Sequence, residues 1–495
     1  MKRIEIIVFI LILTFGFVVR LYRIDNPIAD WHSWRQADTS SVSREFVKNG
    51  IDLLHPKYQD LSNIQSGKDN PQGYRFVEFP IFNFFQAVFY KNIGFLTLEE
   101  WGRMLSILSS LLSAVFIYLL VKKHIGLLEA IFSAFFFIFL PYSIYFGRVI
   151  LPDEMMVAAI LGGTYFFDMW LTHDVILRPK TEESRRGSFS ANWRIRMTIF
   201  YMLATIFTAS AFLLKPYALF FTLPMVYLAW KKFGFSFIKK WQIWVFLILS
   251  ITPLIAWRIW MRQYPEGIPV SDWLFNANNI RFKGAFFYWI FGDRLSRLIL
   301  GYFGVVLLFF GLLKKQNEKT NLFSLSFLVS SLLYLFVIAG GNVQHDYYQI
   351  LIIPTVVILL AKGSTFLLSN SGYKNKIYSY ILLFILSFGM FAFSWYYVRD
   401  YFNINNWDMV KAGQETDRIL PADAKVIVPY NGDTSFLYQT NRRGWPAFEK
   451  GIEELIQMGA DYLVLATPTK NDFEGFGRQY KIVSSSPSYL ILKLK

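Results

Sequence analysis

The chain has 495 residues, of which 54% are hydrophobic and 19% aromatic, and it carries a formal net charge of +15 without a single cysteine. That composition belongs to a polytopic membrane protein, and it excludes disulfides and thiolate metal sites. The positive charge does not read as a nucleic-acid footprint, because Lys and Arg sit largely in short turns between apolar runs, where they set orientation in a membrane.

The first apolar run, about Ile4 to Leu21, follows Lys2 and Arg3 and is not followed by a small-residue cleavage site. It reads as a retained first span with a cytoplasmic N-terminus, which puts the long polar loop 22–100 outside. That loop opens on Asp30-Trp-His-Ser-Trp-Arg-Gln-Ala-Asp38-Thr39. Ionisable groups at a membrane surface are costly without partners or water, so this stretch is a functional candidate. The plainer alternative is an interfacial belt of tryptophans with solvated charges. A helix is expected from Asp38 to Lys48, with Asp38 as its N-cap. Pro80 to Tyr90 is apolar but short, and fits a helix lying in the interface.

Further spans are expected near residues 103–121, 126–146, 155–171, 241–260, 296–313, 322–339, 350–368 and 377–397, and residues 197–230 divide into two at Lys215-Pro216. The basic turns fall on one side throughout: Lys122-Lys-His124, Thr172 to Arg196 (with Arg178, Lys180, Arg185, Arg186, Arg194 and Arg196), Lys231 to Lys240, Lys314 to Lys319 and Tyr373 to Lys376. The expected fold is therefore a polytopic α-helical membrane protein with about eleven spans by the ~20-residue rule, residues 1–398. Residues 147–155 and 261–295 become further outer loops. Beyond residue 398, Val426-Ile-Val-Pro, Tyr462 to Ala466 and Tyr489 to Leu494 read as strands, and Glu449 to Met458 as a helix. Residues 399–495 thus form a small C-terminal α/β domain, expected on the outer face. Asn431-Gly-Asp433 and Asn441-Arg-Arg-Gly-Trp445 read as polar turns.

This topology brings Asp30 to Asp38, Arg75 to Glu78, Asp153-Glu154, Lys215 and His345-Asp346-Tyr347-Tyr348 to one face. Most of these groups lie at helix ends, which suits a reaction at the membrane–water boundary between a lipid-borne substrate and a polar one. Such a reaction needs a carboxylate to take or orient a proton, for which Asp38 or Asp30 qualifies, with Asp153 assisting or binding a metal. Arg35, Arg75, Arg148 and Lys215 are candidates to hold a lipid phosphate. Trp34, Tyr347 and Tyr348 offer aromatic faces for sugar rings. His32, Glu78 and His345 with nearby carboxylates permit, without demanding, a divalent metal ion. Plainer roles stand against each: Lys215 can snorkel, His345 can hydrogen-bond within its loop, and the tyrosines can belong to an aromatic belt.

The order of these motifs resembles a known family. An early outer Asp, Phe79-Pro80 before an interfacial helix, Pro152-Asp153, Leu214-Lys215-Pro216 and His345-Asp-Tyr-Tyr348 are similar to the GT-C glycosyltransferases of the protein mannosyltransferase and aminoarabinose transferase type. The resemblance covers roughly Met1 to Tyr397. It implies a GT-C-like fold with catalytic outer loops, a polyprenyl-phosphate-linked sugar donor and an inverting transfer on the outer face of the cytoplasmic membrane. It makes Asp38 the base, although the family more often shows Asp-Glu where this chain has Asp38-Thr39, and Asp30 stays open. It matches Glu78 to the acid before the loop proline, Asp153 to the second outer acid, and His345 and Tyr347 to the later motif. The aminoarabinose transferases carry a Lys where this chain has Phe79, which shifts the phosphate-binding role toward Arg75 and Lys215. The acceptor is a lipid, a glycan or a protein. The competing readings are a lipid or oligosaccharide flippase or transporter, and an oligosaccharide polymerase or ligase.

Overall fold

A computed structural model describes residues 2–173, 187–315, 317–369 and 373–495. Residues 174–186 of the expected basic turn between Thr172 and Arg196, including Arg178, Lys180, Arg185 and Arg186, lie outside the described residues. The chain is mainly helical. Its first half runs through α1 (Lys2–Arg20), α2 (Ser33–Asn49), α3 (Ile81–Ile93), α4 (Leu98–His124), α5 (Leu127–Phe139), α6 (Pro141–Phe146), α7 (Asp153–His173), α8 (Gly187–Leu214), α9 (Leu223–Phe233) and α10 (Trp241–Met261).

Among the described residues, seven helices are long and apolar enough to cross a membrane, or eight if one bent pair counts as a span. Four of the expected eleven spans are not straight apolar helices of that length. The first, α1, carries Lys2, Arg3 and Glu5 in its opening turns. The span expected at 126–146 breaks at Leu140-Pro141, where the ring fixes φ and removes an N–H, leaving α5 and α6. Lys215 is extended before Pro216, so the chain there makes a seven-residue 3-10 turn before α9. The helices Gly284–Ile299 and Gly304–Leu313 meet at a 112° bend, where Gly301 and Tyr302 take left-handed backbone angles.

The turns at Lys122 to His124, Lys231 and Lys314 to Lys319 meet at one end of the bundle. Lys231 reaches His124, Thr320 donates to the His124 carbonyl, Lys123 donates to Thr172, and Lys314 pairs with Glu129. The loops of the first stretch gather at the other end. Phe76 N–H donates to the Gly267 carbonyl, Val270 N–H to that of Gln65, and the Trp260 indole to that of Leu54. Helix α4 enters through a capping box, Thr97 with Glu100, and α3 ends at Gly94 with φ of 65°.

Residues 425–493 contain a five-stranded mixed sheet, β1 (Lys425–Ile427), β2 (Arg443–Trp445), β3 (Tyr462–Ala466), β4 (Lys481–Ser486) and β5 (Tyr489–Lys493), in the order β2-β1-β3-β5-β4. Strand β2 corrects the turn expected over Asn441 to Trp445. Arg443-Gly-Trp445 is three residues long, too short to show the alternation that marks a strand. Gly444 is required within it, because a Cβ there would lie 1.7 Å from the Val426 carbonyl oxygen. The outer edge of β2 is covered by the first loop. Gly444 N–H donates to the Gln59 carbonyl at 3.0 Å, and Leu61 N–H to the Gly444 carbonyl at 2.8 Å. An edge that would otherwise offer unpaired backbone is thereby closed from within the chain.

Two acids sit at this seam. Burial pushes the Asp60 carboxyl up to about 6 against its bonds from Ser62 and Tyr58, with the charge of Asp38 adding to the rise. Burial likewise pushes Glu449 up to about 7, with Asp60 and Asp69 adding and Lys450 opposing. A carboxyl with a raised folded-state pKa holds its proton better when folded, so its stabilising contribution is complete below about pH 4 and is lost as pH rises to about 7. Between pH 5.5 and 8 the melting temperature of purified protein is expected to fall as pH rises. In the Asp60→Asn, Glu449→Gln double variant that slope should flatten. Parallel slopes for wild type and variant would contradict it.

Candidate active site

Helix α2 starts at Ser33, five residues before Asp38, after His32 in the left-handed region at φ 57°. Asp38 therefore sits inside the helix and does not cap it, and its carboxylate is drawn sideways by three groups, two from the first loop and one from the C-terminal residues. Its Oδ2 accepts from Arg75 Nη2 at 2.6 Å and from Gln65 Nε2 at 3.3 Å. Its Oδ1 accepts from Thr434 Oγ1 at 2.7 Å. The Arg75 guanidinium also meets Gln65 Oε1 and stands 5.0 Å from the centre of the Tyr58 ring.

Arg35 lies on the same helix. Its Nη2 reaches both Glu78 oxygens, at 2.6 and 2.9 Å, and its Nη1 donates to Thr39 Oγ1 at 3.2 Å. Burial opposes the charge on Glu78, but Arg35, Lys215 and Arg75 outweigh it and hold that carboxyl below its ordinary range. At the start of α7, Asp153 Oδ2 lies 3.4 Å from Lys215 Nζ and has no hydrogen-bond partner among the described residues. Lys215 in turn stands about 6 Å from the ring centres of Tyr347 (5.9 Å) and Tyr348 (6.0 Å). Asp38, Arg35, Arg75, Asp153 and Lys215 are all buried. Three acid–cation pairs from separate parts of the chain thus meet beside a tyrosine cluster. An ion pair taken out of water survives only with such close partners.

Other candidates fall elsewhere. The Asp30 carboxylate accepts from Gln36 at 2.6 Å and from Arg148 at 3.0 Å. Arg148 also donates to the Arg23 carbonyl, so Asp30 and Arg148 are spent on bracing the first loop against the loop before α7. His32 bonds Asp346, which also accepts from the Trp31 indole and the Tyr401 hydroxyl. Burial, reinforced by His32, pushes the His345 imidazole down to about 4, so it is neutral at neutral pH, and its ring stacks on Tyr347. Trp34 is half-buried, with its ring 5.6 Å from that of His345. His32, Glu78 and His345 do not converge as metal ligands: Glu78 is taken by Arg35 and His32 by Asp346. Among the described residues no three His, Asp or Glu form a group fit to hold a metal ion.

Four residues join the array without having been singled out. Gln65 and Thr434 complete the shell of Asp38, and no local signal marks either. Tyr217 hydrogen-bonds Tyr348 and feels the charges of Asp153, Arg258 and Glu78. Arg258, near the outer end of α10, is within electrostatic reach of Tyr217 and Glu78, and its hydrogen-bonding contact is the Met261 sulfur at 3.7 Å. An arginine inside an apolar span is itself a functional signal, so Arg258 was legible in principle. One turn below Lys215 and Tyr217, a cleft of about 180 Å³ runs between α7, α8, α9 and α10, lined by Phe167, Phe212, Leu219, Phe246 and Leu247 among others.

The architecture is a bundle of apolar helices with its polar array at one end. Among solved structures, the chain is similar to ArnT, the aminoarabinose transferase, from Cupriavidus metallidurans in the apo state, with a TM-score of 0.62 at 11% identity over 98% of this chain and 97% of that one. The same protein bound to undecaprenyl phosphate aligns at 0.59 with 12% identity over the same shares. The archaeal oligosaccharyltransferase AglB from Archaeoglobus fulgidus, in complex with an inhibitory peptide and a dolichol-phosphate, aligns at 0.55 with 10% identity over 94% of this chain and 70% of that one. At such identities the likeness is one of fold. No family model matches the chain, and no curated protein matches it by sequence.

Thr434 offers a test of whether the C-terminal residues act on the array. Thr434→Val keeps the side-chain shape and removes one of three donors from a buried carboxylate, a charged hydrogen bond worth about 1.5–3 kcal/mol. Turnover is expected to fall about tenfold or more while the folded yield stands. Unchanged turnover would confine Thr434 to packing.

Proposed function

We propose that this chain is an integral-membrane glycosyltransferase. It moves a sugar from a polyprenyl-phosphate donor to a lipid, glycan or protein acceptor at the outer face of the cytoplasmic membrane, with inversion. The observation that carries this reading is the convergence of Asp38–Arg75, Glu78–Arg35 and Asp153–Lys215 in one buried array. In the resting protein each cation is balanced by an acid. A donor phosphate competes for those cations, and every cation it captures frees a carboxylate. Binding the donor therefore prepares the base. Arg258, without a carboxylate partner in hydrogen-bond contact, is placed to meet the phosphate first. The apolar cleft beneath Lys215 suits the first isoprene units.

In the proposed step the acceptor oxygen or nitrogen attacks the anomeric carbon from the side opposite the phosphate. The carbon–oxygen bond to phosphate breaks, and the electron pair leaves with the polyprenyl phosphate. The acceptor's proton passes to Asp38 once Arg75 has turned to the phosphate. Arg75, Lys215 and Arg258 stabilise the growing phosphate charge. Asp153 holds Lys215 in place, and Tyr347 and Tyr348 offer faces to the sugar. Residues 399–495 act as an outer-face α/β domain that reaches the base through Thr434.

Transfer in proteoliposomes tests the reading. Purified protein is supplied with radiolabelled polyprenyl-phosphate sugars and a membrane extract of the host. Labelled acceptor that disappears in Asp38→Asn is the expected result. Labelled donor lipid that crosses the bilayer unchanged would replace the transferase with a flippase.

A further inference from the structure

A second cavity, of about 530 Å³, opens between the last turns of α2, the first turn of α4 and the short helix Thr434–Gln439, and it shares no residue with the acid–cation array. Its volume is that of a small-molecule site. Three cations and four carboxylates line it. Arg44 meets Glu99 at 3.2 Å, donates to the Tyr438 carbonyl at 2.7 Å and lies 3.5 Å over the Tyr438 ring. Lys48 donates to the Asn441 side-chain oxygen at 2.7 Å, and the Asn441 amide donates to Asp417 at 3.1 Å. Arg103 is 1% exposed; its Nη1 donates to the Ile24 and Asn26 carbonyls and its Nη2 pairs with Asp30 at 3.9 Å, while its Nε has no hydrogen-bond partner among the described residues. Buried donors left open beside a polar cavity are uncommon in folded proteins and call for an occupant.

The lining restricts what that occupant is. A surplus of one carboxylate disfavours a phosphate or other strong anion. A hard cation lacks a group of three acids to hold it. A hydroxyl-rich neutral ligand fits both signs at once, since each hydroxyl donates to a carboxylate and accepts from a guanidinium or ammonium group. We infer that this cavity is a saccharide subsite that holds a non-reacting sugar of the acceptor. The inference rests on the glycosyl-transfer reading and narrows its acceptor to a glycan or a glycan-bearing molecule.

The cavity is wired to the array through one helix. Thr434 and Tyr438, four residues apart and so on one helical face, touch α2 at neighbouring positions. Thr434 bonds Asp38, while Tyr438 bonds Ser40 at 3.0 Å and also Glu99. A sugar seated against Tyr438 therefore bears on the shell of the base.

Binding tests this without any donor. The full-length protein, held in a detergent with no sugar headgroup, is titrated with maltose, lactose, chitobiose and isomaltotriose by saturation-transfer NMR, with inorganic phosphate as competitor. Saturable binding of at least one saccharide is expected. It should weaken about tenfold in Lys48→Ala and Asp25→Ala, two exposed positions on the cavity wall, at an unchanged melting temperature, and it should persist in Asp153→Asn. Retained binding in Asp153→Asn separates this site from the transfer chemistry, which is measured independently. The subsite is overturned if no saccharide of the panel binds, if the Lys48 and Asp25 variants bind as wild type does, if phosphate displaces the sugar, or if Asp153→Asn abolishes binding.

Discussion

Asp38→Asn is expected to lower transfer by about a thousandfold or more, in line with loss of a general base that contributes roughly 10²–10⁴. Donor binding should persist or tighten. The amide oxygen still accepts from Arg75, but it no longer cancels the guanidinium charge, so more of that charge is offered to the phosphate. The amide nitrogen can face Thr434, whose hydroxyl accepts as well as donates. The fold is thus preserved at a modest cost, and the variant separates chemistry from binding. Asp153→Asn should behave differently. Its acid meets one cation, Lys215, at 3.4 Å, so its loss should cost about ten- to a hundredfold through misplacement of that lysine. Single-turnover rates and donor Kd for the two variants decide the matter. A larger rate loss in Asp153→Asn than in Asp38→Asn would move the base to Asp153, whose Oδ2 has no hydrogen-bond partner among the described residues.

The comparison of Asp38 with Asp30 also shows what a sequence carries and what it hides. Two aspartates eight residues apart, both near arginines and tryptophans, are equivalent on paper. Their separation comes from partners far along the chain: Arg148 claims Asp30, while Arg75 and Thr434 claim Asp38. The sidedness of the loops was legible because basic turns repeat after almost every apolar run, and a periodic signal tolerates local error. Helix continuity was less legible. Leu140-Pro141 and Gly301-Tyr302 break runs whose hydropathy alone reads as unbroken. Strand β2 was hidden for another reason: its place is set by pairing with β1 and with the first loop, and three residues, Arg-Gly-Trp, carry no period of their own. The metal candidates failed to converge because each charged ligand found a nearer protein partner, Arg35 for Glu78 and Asp346 for His32.

Arg258→Gln is expected to raise the donor KM about ten- to a hundredfold with kcat nearly unchanged, while Lys215→Gln should lower kcat. The contrast follows from their resting partners. Arg258 has the Met261 sulfur as its hydrogen-bonding contact, so removing its charge leaves no buried acid exposed and subtracts one charge-assisted bond to phosphate, about 1.5–3 kcal/mol. Such a bond exists before and during bond breaking, so its loss appears in binding. Lys215 is paired with Asp153, and neutralising it strands a buried carboxylate at a cost of about 3–5 kcal/mol. That variant should melt lower, and Lys215→Arg should recover its stability. In the proposed step Lys215 faces the phosphate oxygen on which charge grows as the sugar departs, so its loss should fall on the transition state. Arg258→Lys should restore most of the donor affinity, since a point charge suffices to hold a phosphate. If Arg258→Gln left the donor KM unaltered, the phosphate would have to be held by Arg75 and Lys215 alone. Asp38 and Asp153 would be released as before, since Arg258 frees no carboxylate, and Glu78–Arg35 would stay closed throughout the cycle as a structural pair.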